Sequence, residues 1–225
     1  MELLLDTANL KSIRDAVSTY PISGLTTNPS IISKENRSDF FGLIREIRDI
    51  LGKERTLHVQ VTRTDCEGIL KEAEAIRKHV DEDVYIKTPV SKEGLKAIGI
   101  MAREGFNVTA TAIYTTIQGE LAAMAGAKYL ALYYNRMLNL DIDADAVFRT
   151  TASAIAASGL DCKIVGASFK NIMQVTNVFA DGAEAVTVPP ELLDTALANP
   201  SIDLAVRNFN KDWEKVYGNK GISEL

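Results

Sequence analysis

The chain is poor in the residues that metal and redox chemistry use. Its 225 residues include only two histidines, His58 and His79, and two cysteines, Cys66 and Cys162. His58 falls in an apolar run and His79 at the end of a charged helical stretch, so they do not form the cluster of imidazoles a catalytic zinc site draws on. No HExxH or GxSxG occurs, and no GxGxxG follows the first strand-like run, which removes the usual metallohydrolase, serine-hydrolase and dinucleotide signatures. Cys66 has only His58 or His79 as a conceivable base, with no local signature of such a pair. Neither a metal nor an organic cofactor is expected. The two cysteines sit in unrelated contexts and suggest no disulfide framework, so a reduced, cytoplasmic setting is the expectation.

Basic residues are also outnumbered, 25 Lys and Arg against 30 Asp and Glu, giving a net charge of −5. That balance argues against duplex nucleic acid and polybasic membrane contact, while leaving room for a local basic pocket that binds a small anion. No run approaches the roughly 20 apolar residues of a membrane span. The opening "MELLLDTANL" lacks the positive n-region and the apolar length of a secretion signal.

What the chain has is alternation. Strand-like runs fall at Leu3–Leu5, Gly24–Thr26, Leu57–Val61, Val84–Lys87, Val108–Ile113, Tyr129–Tyr133, Lys163–Ala167 and Ala185–Val188. Helical stretches separate them, for example 39–51, 67–80 and 92–105. In the first, Phe40, Leu43, Ile44, Ile47 and Leu51 recur at three- and four-residue spacing, and Gly52 and Gly105 stand where helices should stop. Strands alternating with helices imply parallel strands with right-handed crossovers, and eight such units close into a barrel. The expectation is an α/β fold: one TIM-barrel, (β/α)8, domain over residues 1–225, with an extra C-terminal helix at 203–218 that covers the barrel or packs on a neighbour.

In such a barrel, chemistry sits at the C-terminal ends of the strands. The ends here carry Asp6; Thr26 and Asn28 in "TTNPS"; Gln60; Lys87; Thr109 and Thr111; Tyr133 with Arg136 beyond; and Ser168 with Lys170 beyond. Lys87 is the sharpest. It either snorkels to solvent or enters a partly desolvated mouth, where the neutral amine is favoured and attacks a carbonyl to form a Schiff base. Asp6 reads either as a cap for a helix starting near Asn9 or as a proton relay beside that amine. Asn28, before Pro29, reads as a turn residue. Gln60, Thr111 and Tyr133 either satisfy one another or hold a catalytic water. Arg136, Ser168 and Lys170 form either a solvated basic rim or a phosphate-sized anion site.

"LLLDTAN", "GLTTNPSII" (24–32), "YIKTPVSKEGLKAI" (85–98), "NRM" with Arg136 and "GASFK" (166–170) together resemble the transaldolase family, and more narrowly its short branch, which includes fructose-6-phosphate aldolase. The likeness runs from residue 2 to about 218. It implies a (β/α)8 barrel, a Schiff-base lysine at Lys87, Asp6 as proton relay, Asn28 as a ligand for substrate hydroxyls, and a terminal phosphate held by Arg136, Ser168 and Lys170. It also implies homo-oligomers built from pentamers, often decamers, gripped by the C-terminal helix. Transaldolases usually carry glutamate and phenylalanine where this chain has Gln60 and Tyr133, and the aldolase members carry the residues found here. The substrate implied is a sugar phosphate such as fructose 6-phosphate. True dihydroxyacetone transfer between sugar phosphates, and cleavage of a 6-sulfonated ketose, stay open beside it. Thr109, Leu132 and the "LNLDID" loop depart from the family pattern.

Overall fold

The computed structural model describes residues 1–225. Every strand-like run becomes a strand: β1 (Glu2–Asp6), β2 (Gly24–Thr26), β3 (Thr56–Gln60), β4 (Tyr85–Pro89), β5 (Asn107–Ile113), β6 (Tyr129–Tyr133), β7 (Lys163–Ala167) and β8 (Ala185–Val188). All pair in parallel, in sequence order, and β8 returns to β1 through Leu3↔Val186 and Leu5↔Val188, so the sheet closes as a barrel. Closure satisfies both edges of every strand and leaves none to recruit another chain.

Strand alternation divides the apolar residues into two cores. Leu5, Leu57, Val59, Ile86, Val108 and Ala110 face outward and join the layer packed beneath the helices. Leu4, Tyr129, Ala131, Tyr133, Val165, Ala167 and Ala185 fill the lumen, with Tyr85 packed against them. Because side chains alternate, Lys87 shares the lumen face with Tyr85, two residues earlier on β4. The helices follow the sequence reading closely. Those at Phe40–Leu51, Cys66–His79 and Lys92–Arg103 bury their apolar stripes on the barrel. Gly94 lets the last of these start directly over β4, since a Cβ there would fall 2.0 Å from the Pro89 carbonyl oxygen.

Several boundaries differ from the sequence reading. β4 runs through Pro89, which pairs with Thr111, where the sequence suggests closure at Lys87. Proline is tolerated because β3 has already ended on that side. β3 lies one residue earlier than 57–61. The C-terminal helix spans Pro200–Tyr217, not 203–218, because Asn199 caps it and Pro200 takes its first turn. Two short helices carry no periodic signal. Pro29–Lys34 is nucleated by Asn28, whose Oδ1 accepts from Ile31 N at 3.0 Å, so Asn28 is a helix cap rather than only a turn residue. Tyr134–Leu138 follows β6 directly. No helix is long and apolar enough to cross a membrane.

Candidate active site

Lys87 is 2 % exposed. Its Nζ donates to the Thr27 carbonyl oxygen at 3.3 Å, and no carboxylate forms an ion pair with it. An ammonium there would be a buried charge with no carboxylate in direct contact, an arrangement that proteins rarely keep without a use for the amine.

Asp6 lies at the C-terminal end of β1, within electrostatic reach of Lys87. It does not cap a helix. That task falls to Asn9, whose Oδ1 accepts from Ser12 N at 3.1 Å, so the capping reading of Asp6 is corrected. The Asp6 Oδ1 instead accepts from the Thr26 hydroxyl at 2.9 Å, and the same hydroxyl lies 2.9 Å from the Thr187 hydroxyl. Burial raises the Asp6 pKa, outweighing the opposing fields of Lys87, Lys34 and Arg136 and the Thr26 hydrogen bond. A carboxyl so placed holds a proton more readily than an exposed one and is suited to exchanging it with a neighbouring group.

Across the lumen, the Thr111 and Tyr133 hydroxyls lie 3.0 Å apart. Gln60, paired in register with Lys87, has a buried Oε1 with no hydrogen-bond partner. A buried acceptor left open in this way marks a place where a ligand or water completes the bonding. Asn28 spends its oxygen on the helix cap, which leaves its amide nitrogen as the donor available to a ligand. The Arg136 guanidinium sits at the mouth, 4.6 Å over the Tyr133 ring. Ser168 adopts a left-handed backbone, φ 65°, and its carbonyl oxygen accepts from Asn135 N at 2.9 Å, which ties the β7 loop to the segment carrying Arg136.

The structure thus draws Asp6, Thr26, Gln60, Lys87, Thr111 and Tyr133 to one mouth, with Arg136 above. It treats two named residues differently. Thr109 points into the lumen and bonds His58, Oγ1 to Nδ1 at 2.7 Å. The Lys170 side chain is exposed and makes no hydrogen bond or ion pair with Arg136 or Ser168. Three participants have no prominence in the sequence. Thr27 contributes a backbone carbonyl, which no side-chain pattern announces. Thr187 lies inside an apolar strand. His58, two residues before Gln60, shares its lumen face, so strand parity alone would have located it. Burial pushes the His58 pKa down to about 3, with help from Lys87 and Arg48. It is therefore a neutral ring stacked on Tyr85, with centroids 4.6 Å apart. No three His, Cys, Asp or Glu side chains come together as a metal-ligand set.

A closed eightfold barrel that gathers an unpaired amine, a carboxyl and an open hydrogen-bond acceptor at the C-terminal ends of its strands has the form of a TIM-barrel enzyme. The family model "Transaldolase/Fructose-6-phosphate aldolase" matches residues 3–220. The "Probable fructose-6-phosphate aldolase" of Streptococcus pneumoniae (strain ATCC 700669 / Spain 23F-1) is 46% identical over 222 residues, covering 99% of this chain and 100% of that protein. The chain belongs to the transaldolase/fructose-6-phosphate aldolase family and is an enzyme of that aldolase/transaldolase class. A solved structure described as "Native KDPGal structure" matches with a TM-score of 0.59 at 12% identity, over 82% of this chain and 80% of that one, a likeness of fold alone.

Proposed function

We propose that this chain is a Schiff-base aldolase that cleaves a ketose 6-phosphate, such as fructose 6-phosphate, into dihydroxyacetone and glyceraldehyde 3-phosphate. One observation carries the reading: the Lys87 Nζ is buried at a strand end with a backbone carbonyl as its only hydrogen-bond partner. The neutral amine adds to the C2 carbonyl, and loss of water leaves an iminium. The Asp6 carboxylate, acting through a water, takes the proton of the C4 hydroxyl. The C3–C4 bond then breaks, its electron pair passes into the iminium to give an enamine, and glyceraldehyde 3-phosphate departs. A water held by Gln60, Thr111 and Tyr133 returns a proton to C3. Hydrolysis of the resulting iminium frees dihydroxyacetone and restores Lys87. This chemistry draws on no metal or organic cofactor.

Thr26 fixes the Asp6 carboxylate, the Asn28 amide donates to substrate hydroxyls, and Arg136, Ser168 and Lys170 bind the phosphate. Thr109 acts on the donor end from beneath, through its bond to His58. Gln60 and Tyr133 favour release of free dihydroxyacetone over its transfer. The whole chain works as one domain in the cytoplasm. Its helix at 200–217, which exposes Leu204, Phe209 and Val216 and frames a hollow of ≈ 400 Å³ with Trp213 and Ile222, grips a neighbouring subunit in a pentamer-based ring such as a decamer.

The test supplies fructose 6-phosphate alone and follows free dihydroxyacetone. Sustained release supports the aldolase, whereas turnover only after adding erythrose 4-phosphate assigns a transaldolase. A 6-sulfonated ketose assayed in parallel separates the two anions. Borohydride reduction with donor present should place the adduct on the Lys87 peptide, and no adduct under saturating donor would end the proposal.

A further inference from the structure

The pairing of β5 with β6 slips near its end. Thr109 faces Tyr129 and Ala110 faces Leu130, but the next pair is Ile113 with Leu132. Between Ala110 and Ile113, β5 advances three residues while β6 advances two, so β5 holds one extra residue. The extra residue is absorbed at Ala112, whose φ of 59° is left-handed, a conformation that costs an alanine free energy and that glycine would adopt without penalty. An unbroken strand would send Thr111 and Ile113 inward and Ala112 and Tyr114 outward. The observed packing is the reverse beyond the bulge. Ile113 joins the outer core under the helices, while Ala112 and Tyr114 pack against the lumen cluster. The bulge therefore leaves Thr111 in the lumen, turns Ile113 outward and adds Tyr114 to the same mouth.

Tyr114 is held there from both sides. The Gln118 Oε1 accepts from Tyr114 N at 2.8 Å and from Thr115 N at 3.2 Å, locking the chain as the helix Thr116–Met124 begins. The Tyr114 ring meets the Tyr133 ring edge-on, with centroids 5.7 Å apart and planes at 78°. The Arg136 guanidinium lies 4.6 Å over that same Tyr133 ring. The Tyr114 phenol is also the leading influence on the Arg136 guanidinium and strengthens its hold on the proton. Tyr114 thus braces the Tyr133 ring, whose face carries the Arg136 guanidinium.

We infer that Tyr114, turned into the mouth by the β-bulge at Ala112, is a positioning residue that fixes the Arg136 guanidinium and the Tyr133 ring together, and so sets the preference for a phosphorylated substrate. The inference rests on the aldolase reading above, and its test is chosen so that the two fail separately. Tyr114→Phe keeps the ring and removes the hydroxyl. Its KM for fructose 6-phosphate should rise about tenfold, since the phenol that favours the charged guanidinium is removed, with kcat within about twofold of wild type. Cleavage of unphosphorylated fructose should not change. Tyr114→Leu removes the edge contact as well, and should additionally slow solvent-hydrogen incorporation into dihydroxyacetone, the step assigned to Tyr133. Thermal melting of both variants checks the fold, and the conservative variant decides the matter if Tyr114→Leu is unfolded. If wild type forms no Lys87 adduct, the aldolase reading fails. If wild type turns over and Tyr114→Phe keeps wild-type KM for the phosphate, or loses kcat equally on both substrates, the positioning role is overturned.

Discussion

His58 Nδ1 lies 2.7 Å from Thr109 Oγ1 across the lumen face of β4, one strand to either side of Lys87. Its other nitrogen, Nε2, lies 3.0 Å from the Thr56 hydroxyl, so both ring nitrogens are engaged in a fully buried site. The polar pair forms part of the floor beneath the amine, and removing one partner strands the other. Thr109→Val should cost about 1–3 kcal/mol, the usual penalty for an orphaned buried group. The double replacement His58→Phe with Thr109→Val should lose less than the sum of the single changes. Urea unfolding of the four proteins measures the coupling, and strict additivity would show that the pair is not an energetic unit.

The same ring makes stability depend on pH. His58 is held near a pKa of about 3 in the folded protein against an ordinary 6.5, so between those values the unfolded chain binds a proton that the native chain refuses. Stability therefore rises with pH across that window, by up to about 1.4 kcal/mol per pH unit from this group, and its contribution is complete above 6.5. Asp6 works against it. Its raised pKa means that the native state keeps a proton the unfolded chain loses, which lowers stability as pH climbs above 3.8. Urea midpoints between pH 4 and 7 for wild type and His58→Phe test this. The variant should lose the rising limb and reveal the opposing slope of Asp6.

Asp6→Asn keeps the shape of the carboxyl and its place beside Thr26 but removes the proton acceptor. We predict a fall in kcat for ketose cleavage of about 10²–10⁴. Borohydride capture of the Lys87 adduct should persist, because nucleophilic addition does not require Asp6. Loss of capture in parallel with cleavage would instead assign Asp6 to Schiff-base formation.

Much of this site is legible in the sequence because strand parity is strict. Once β4 is a strand with Ile86 outward, Lys87 must face the lumen, and the same parity brings Gln60 and Thr111 with it. The illegible parts are those where parity or local signal breaks. The bulge at Ala112 reverses the alternation in a run, "TATAIY", that reads as an uninterrupted strand. The cap at Asn9, rather than Asp6, turns on which of two good capping residues lies at the right distance from the first helical turn. The Thr27 carbonyl that meets Lys87 belongs to the backbone, so no choice of residue type records it. Lys170, grouped with Arg136 by charge, keeps its side chain exposed, and charge alone does not say where an exposed side chain lies.

Gln60 offers the sharpest separation of stability from activity. Its Oε1 is buried with no partner within the protein, so the folded chain leaves the bonding of that acceptor to a water or ligand. Gln60→Met fills nearly the same volume without that acceptor, and the urea midpoint should rise, corresponding to a gain of about 1 kcal/mol. If the open acceptor exists to hold the water that protonates the enamine, the same variant must lose free dihydroxyacetone release. It should retain the Lys87 adduct and, supplied with an acceptor aldehyde, divert the trapped three-carbon unit toward transfer. A Gln60→Met protein that is more stable and equally fast in releasing dihydroxyacetone would separate Gln60 from the reaction and leave Thr111 and Tyr133 as the only candidates for that water.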